Sequence, residues 1–223
     1  MSTAESNRSR ARALCAEHAS RGDSLGWFEA LYREARDRGS VIPWADLLPN
    51  PYLVEWHQRR GFDFHGKRCL KVGCGFGDDA EYLSSAGGEV VAFDIAPTAI
   101  AECHHRFPQS SVQYLATDLF DAPASWDGHF DFVLESYTLQ VLPPQTRREA
   151  LERISGWVAP GGVLLVICRA RAPHEPQGEM PWPLVREELV VPPDMGLVEQ
   201  SFEEFDDRDE PVRRFRVEYR RAA

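Results

Sequence analysis

Lys67-Arg68-Cys69-Leu70-Lys71-Val72-Gly73-Cys74-Gly75-Phe76-Gly77-Asp78-Asp79-Ala80 is the stretch whose reading decides the fold. A short apolar run, Cys69, Leu70 and Val72, leads into three glycines spaced G-x-G-x-G, and acidic residues at 78 and 79 stand directly after them. This is a strand, a glycine-rich turn and a helix. Glycines suit the turn because they accept positive φ and let a ligand approach the backbone. The spacing falls one residue short of the G-x-G-x-x-G dinucleotide fingerprint. A second apolar run, Val90 to Phe93, ends at Asp94, 21 residues after Gly73. An acidic residue about 20 positions on, at the tip of the next strand, is where a doubly wound sheet meets ribose hydroxyls.

The remaining chain extends this pattern. Val112–Ala116 reads as a third strand ending at Asp118 and Leu119, and Phe130–Leu134 as a fourth ending at Glu135, Ser136 and Tyr137. Val163–Ile167 is apolar throughout, as expected inside a parallel sheet. Ala159-Pro160-Gly161-Gly162 before it reads as a helix stop and turn. Helices are expected over 25–36, 53–60, 97–107, 144–158 and 184–189. Two late strands, 197–205 and 212–219, flank an acidic turn at 206–210, read as solvated and far from the ligand edge. Residues 1–24, rich in Ser, Ala and Arg, are expected as a flexible tail, and 25–223 as a single domain. Prolines 43, 49 and 51 break the segment from Val41 to Leu53, and Trp44, Tyr52 and Trp56 cluster in and after it. We read 25–60 as a lid.

A chain of 223 residues suits one such domain. The net charge of −10 argues against a nucleic-acid binder. No apolar run is long enough to cross a bilayer, and the Arg-rich start lacks the apolar core of a secretory signal. Five cysteines without C-x-x-C spacing read as reduced thiols of a cytoplasmic protein. No set of carboxylates or histidines suggests a metal.

The order of G-x-G-x-G, Asp94, Asp118, Glu135, A-P-G-G and a closing strand pair resembles the class I S-adenosylmethionine-dependent methyltransferases. The resemblance implies an α/β, doubly wound, seven-stranded Rossmann-like sheet with an antiparallel last strand. It also implies S-adenosylmethionine as cofactor, S-adenosylhomocysteine as product and no metal. By resemblance Gly73, Cys74, Gly75, Gly77 and Asp79 lie at the methionine part, Asp94 and Ile95 at the ribose, Asp118 and Leu119 at the adenine, and Glu135 at the sulfonium. Lys71 departs from the family, which commonly has an acidic residue there. Such a cation is unfavourable beside an ammonium unless it pairs with Asp79 or Glu81. Pro43-Trp44, the Gly73–Ala80 segment and Pro181-Trp182-Pro183-Leu184 are similar to the thiopurine and thiol/halide methyltransferases. That likeness places the Trp44 segment over the cofactor and the Trp182 segment at the acceptor; the aromatic rings of Trp44, Tyr137 and Trp182 can wall an apolar acceptor pocket and offer π faces to a sulfonium.

Methyl transfer from a sulfonium needs alignment and exclusion of water more than it needs a catalyst. A thiol acceptor ionises readily, whereas a phenol calls for a base. Glu135 and Tyr137 are the expected catalytic groups, with His174 and Glu175 as further candidates. The expected activity is methylation of a small molecule, with a thiol favoured over oxygen or nitrogen, by a monomer or homodimer. The alternatives are a non-catalytic S-adenosylmethionine-binding domain and, less favoured, a nicotinamide-dependent oxidoreductase.

Overall fold

The computed structural model describes residues 3–39, 42–208 and 211–223, with side chains from Asn7 onward. Met1, Ser2, Ser40, Val41, Asp209 and Glu210, which belong to the tail, lid and acidic-turn expectations, lie outside the described residues. Seven strands form one sheet: β1 (Arg68–Val72), β2 (Glu89–Asp94), β3 (Gln113–Ala116), β4 (Phe130–Ser136), β5 (Val158–Arg169), β6 (Leu197–Asp206) and β7 (Arg213–Arg221). The order is β3-β2-β1-β4-β5-β7-β6, and β7 runs antiparallel to both of its neighbours. This is the doubly wound, Rossmann-like sheet expected, with its switch point between β1 and β4.

Among the described residues six α-helices flank or cap it: α1 (Thr3–Ala19), α2 (Trp27–Arg38), α3 (Pro51–Arg60), α4 (Asp78–Ser85), α5 (Pro97–Arg106) and α6 (Pro144–Gly156). The central strands are apolar on both faces because both faces are covered. Leu164, Val166 and Cys168 of β5 enter one core with Leu151 and Ile154 of α6. Leu165 and Ile167 enter the other, with Leu53 and Trp56 of α3 and Leu83 of α4. A third cluster caps the carboxyl edge of the strands. It joins Ala11 and Leu14 of α1 to Trp27, Leu31 and Tyr32 of α2 and to Val141 and Met180.

Within the segment expected as a tail, 1–24, Thr3–Ala19 is helical and joins that cluster. Ala11 and Leu14 form a thin stripe that becomes sufficient only against the α2 aromatics, and both are buried. Burying a leucine contributes roughly 2 kcal/mol. Arg12 Nε donates to Met180 O at 2.8 Å and pairs with Glu179 at 2.7 Å, tying α1 to the late loop. Ala159–Gly162 is not a stop before β5 but a bulged part of it: Phe130 pairs with Val158 and Phe132 with Val163. The expected helix at 184–189 is a 3-10 turn over Arg186–Leu189. The acidic turn is not wholly solvated. Asp207, with its side chain 8% exposed, pairs with Arg214 at 2.6 Å. Because β7 is antiparallel, the β6–β7 connection returns to the carboxyl edge that sequence reading placed far from it.

Candidate active site

A cavity of about 440 Å³ opens at that edge, beneath α1, α2 and the 42–50 segment, within the usual size range of ligand sites. Trp44, Gly73, Cys74, Gly75, Asp79, Asp94, Ile95, Asp118, Leu119 and Tyr137 line it, so most of the expected residues converge.

The glycine turn is fixed from beneath. Cys74 N–H donates to Phe93 O at 2.8 Å, and Gly75 N–H to Asp94 Oδ2 at 2.9 Å. Ala96 N–H donates to Asp94 Oδ1 at 3.0 Å. The carboxylate therefore spans the loop and the start of α5 while still facing the cavity. Burial pushes the Asp94 carboxyl up, and its two backbone donors oppose that shift. At Gly73, with φ of 56°, a Cβ would stand 2.3 Å from Thr138 Oγ1. Gly75, with φ of 54°, faces the cavity, where a Cβ would meet only Tyr32 Oη at 3.3 Å. Gly77, expected at the cofactor, turns instead toward Tyr114 and Cys103 and does not line the cavity. The Cys74 thiol is pushed well up by burial, which fits a small structural residue.

Lys71 is 2% exposed. Its Nζ donates to Val72 O at 2.7 Å and Gly73 O at 3.1 Å, and lies 3.9 Å from Asp79 Oδ2. Asp79 also accepts from Asn50 N–H at 2.7 Å and from Ser136 Oγ at 2.9 Å. The cation that departs from the family pattern is thus paired under the turn, by one of the two partners the sequence offered.

Glu135, expected as a catalytic and sulfonium-facing group, does not line the cavity and is fully buried. Its Oε1 accepts from Thr138 N–H at 2.7 Å and Leu139 N–H at 2.9 Å, capping the turn after β4. Its Oε2 is buried without a hydrogen-bond partner. Burial pushes this carboxyl up to about 7, against the Leu139 N–H, the Lys71 charge and the Thr138 N–H. Tyr137 does line the cavity, with φ of 67°, a conformation rare for an aromatic residue. Burial raises its hydroxyl, which therefore stays protonated at neutral pH; Arg214 opposes the shift. Its ring forms part of the cavity wall. Trp182 misses the cavity: its backbone N–H donates to Gln140 O at 2.8 Å and its ring lies under Arg147 at 5.5 Å. Its neighbours Met180 and Pro181 reach the cavity in its place. Glu175 accepts from Ala172 N–H and pairs with Arg213, and neither it nor His174 lines the cavity.

Sequence reading missed several wall residues. Tyr32 accepts from Trp44 Nε1 at 3.0 Å and sits 5.3 Å from Phe76, clasping the 42–50 segment to the turn. Asn50 caps α3 and, like Tyr32, lines the cavity. Arg169 and Arg214 also line it. Arg169 had a signal, being at the carboxyl end of an apolar strand; Arg214 had none without the topology. Among the described residues no group of His, Cys, Asp and Glu is arranged to hold a metal, and no helix is long and apolar enough to cross a membrane.

The cavity fits an adenosine-bearing cofactor: a carboxylate at the tip of β2, a turn open to close approach, and Asp118 and Leu119 beside it at the end of β3. Residues 69–162 match the family model described as "Methyltransferase domain". In fold and in this matched segment the chain is similar to the class I S-adenosylmethionine-dependent methyltransferases. The chain is 28% identical over 166 residues to 2-heptyl-1-hydroxyquinolin-4(1H)-one methyltransferase of Mycobacteroides abscessus, covering 73% of this chain and 72% of that protein. It is 31% identical to the ubiquinone biosynthesis O-methyltransferase of Pseudomonas aeruginosa, covering 66% and 62%. In structure it is similar to the 1,6-didemethyltoxoflavin-N1-methyltransferase of Burkholderia thailandensis, solved with its namesake ligand and S-adenosylhomocysteine. The TM-score is 0.67 at 15% identity, over 88% of each chain. This chain spans 47% to 72% of the length of the curated relatives compared.

Proposed function

We propose that this chain transfers the methyl group of S-adenosylmethionine to a small-molecule acceptor bound in the cavity. The observation that carries this reading is the single cavity lined at once by Gly73, Gly75, Asp94 and Asp118. The cofactor supplies a methyl carbon already activated by a positive sulfur. Asp94 would hold the ribose diol, Asp118 and Leu119 would frame the adenine, and the Gly73–Gly75 turn would lie at the methionine part. Trp44 and Tyr137 would exclude water and offer π faces to a cation. Glu135 acts indirectly, by setting the turn that presents Tyr137 and Thr138.

The finer reading, a thiol acceptor of the thiopurine and thiol/halide type, keeps support from Trp44 and Pro181 at the cavity and loses it at Trp182. One relative is by name an O-methyltransferase, which supports an oxygen acceptor equally. Calorimetry with S-adenosylmethionine and S-adenosylhomocysteine, followed by a methyl-release assay across thiols, phenols, amines and halides, tests the assignment. Absence of binding to either compound would sink it.

A further inference from the structure

Asp94 braces the glycine turn from one side, and a second brace reaches the turn from α5. Arg106, in the last turn of that helix, donates from Nη1 to Phe76 O at 2.6 Å. The same guanidinium grips Asp78 with both arms, Nη1 to Oδ2 at 2.9 Å and Nη2 to Oδ1 at 2.7 Å. One turn earlier on the helix, Cys103 Sγ donates to Gly75 O at 3.2 Å. Residues three apart share a helix face. One face of α5 therefore holds the carbonyls of two successive turn residues and a carboxylate that follows them. The Arg106 side chain is 19% exposed and that of Asp78 17%, so the pair is not one of the solvated surface contacts that contribute little. A bidentate fork also fixes direction, which the point charge of a lysine does not.

The backbone that this fork holds is cavity wall. Gly75, Phe76 and Asp78 line the cavity, and Arg106 does not. The Phe76 ring meets Tyr32 at 5.3 Å and lies 5.9 Å from the guanidinium. A trans peptide points its C=O and its N–H in opposite directions. Drawing the Gly75 carbonyl to Cys103 turns the Phe76 N–H away from α5. Drawing the Phe76 carbonyl to Arg106 sets the Gly77 N–H toward Cys74 O, to which it donates at 3.0 Å. Two peptide planes of the turn thus take their orientation from α5. Gly75 and Gly77, with φ of 54° and 89°, have the most freedom to leave that arrangement, so the turn needs holding from outside. Of the two adjacent carboxylates that open α4, Asp78 is taken up in this clasp, while Asp79 meets Asn50, Ser136 and Lys71.

We propose that Arg106 is a positioning residue for the methionine part of the cofactor. Through its fork on Phe76 O and Asp78 it sets the 75–78 backbone against which that part lies, with no contact of its own to the cofactor. This rests on the methyl-transfer reading above. In that reading the adenosine part meets Asp94 and Asp118. Asp94 is anchored also at Ala96 N–H, and Asp118 accepts from Phe120 N–H at 2.8 Å. Neither anchor passes through Arg106. Loss of the fork therefore loosens the amino-acid end of the cofactor and spares the adenosine end.

The test is calorimetry on the full chain with two probes: S-adenosylhomocysteine, and 5′-methylthioadenosine, which keeps the adenosine and the thioether but lacks the amino-acid end. Arg106→Gln should weaken S-adenosylhomocysteine about tenfold and 5′-methylthioadenosine less than about twofold. Arg106→Lys should recover part of the loss; if Arg106→Gln does not fold, Arg106→Lys carries the comparison, with a loss of about threefold for S-adenosylhomocysteine alone. Asp78→Asn should weaken S-adenosylhomocysteine as Arg106→Gln does. The double variant should lose no more than either single one, because both changes remove one clasp. A purely structural arginine would lower both probes together. Equal losses for the two probes, unchanged S-adenosylhomocysteine affinity in Arg106→Gln, or losses that multiply in the double variant would each overturn the assignment. Binding by the wild type separates the causes. If it binds S-adenosylhomocysteine and the variants behave otherwise than stated, only the role of Arg106 falls; if it binds neither probe, the methyl-transfer reading falls and takes that role with it.

Discussion

Asp94 accepts from Gly75 N–H and Ala96 N–H and also faces the cavity, so Asp94→Ala removes both a binding group and the brace of the turn. Gly75→Val places a branched side chain at φ of 54° into the cavity. Each variant should lower S-adenosylhomocysteine affinity at least about 100-fold while far-ultraviolet circular dichroism stays that of the wild type. Wild-type affinity in either would contradict the site. Glu135 has a different signature. Its carboxyl titrates at about 7 when folded, against an ordinary 4.5. The folded value lies above the unfolded one, so the stability this group confers is complete below about 4.5 and is lost as pH rises through about 7. The loss is at most about 3 kcal/mol. Glu135→Gln keeps an acceptor for Thr138 and Leu139 but does not titrate. Urea midpoints of wild type should therefore fall relative to Glu135→Gln between about pH 5 and pH 8, and parallel curves would refute the assignment.

At the scale of elements, α1 is the piece the sequence hid. Its stripe of Ala11 and Leu14 acquires meaning only against Trp27 and Leu31, and Arg8 and Ala11 then line the cavity. Leu14→Asp should free α1 from α2, expose the first 25 residues to limited proteolysis and weaken S-adenosylhomocysteine binding about tenfold, with the sheet intact. Resistance to protease equal to wild type would refute the clasp. The strands were legible where burial on both faces leaves an unbroken apolar run, as in β5, and Asp94 was legible because its offset from Gly73 is a property of the β1–α4–β2 unit. Asp207, Arg169 and Arg214 were not, because their meeting depends on the direction of β7, which no local pattern encodes. Glu135, expected at the sulfonium, lies off the cavity wall for a related reason. A carboxylate at a strand tip serves a ligand or caps the next turn, and only the path of the chain after it decides. Trp182 fell outside because the ring packs under Arg147, while the residues on its amino side face inward.

For the molecule as a whole, the sheet is the shared wall of two cores, and adjacent residues of one strand enter different ones: Leu164 faces α6 and Leu165 faces α3 and α4. Leu164→Ala and Leu165→Ala should each cost about 2–5 kcal/mol in urea denaturation, and each variant should still unfold in one transition. Two separated transitions would mean that the layers are not coupled through β5. The clasp of Trp44 onto Tyr32 reaches beyond stability. The chain contains six tryptophans, and among the described residues Trp44 alone lines the cavity, 6.1 Å from Trp27. Occupancy of this chamber is therefore written into the protein's own ultraviolet emission, at one indole, with no label to attach.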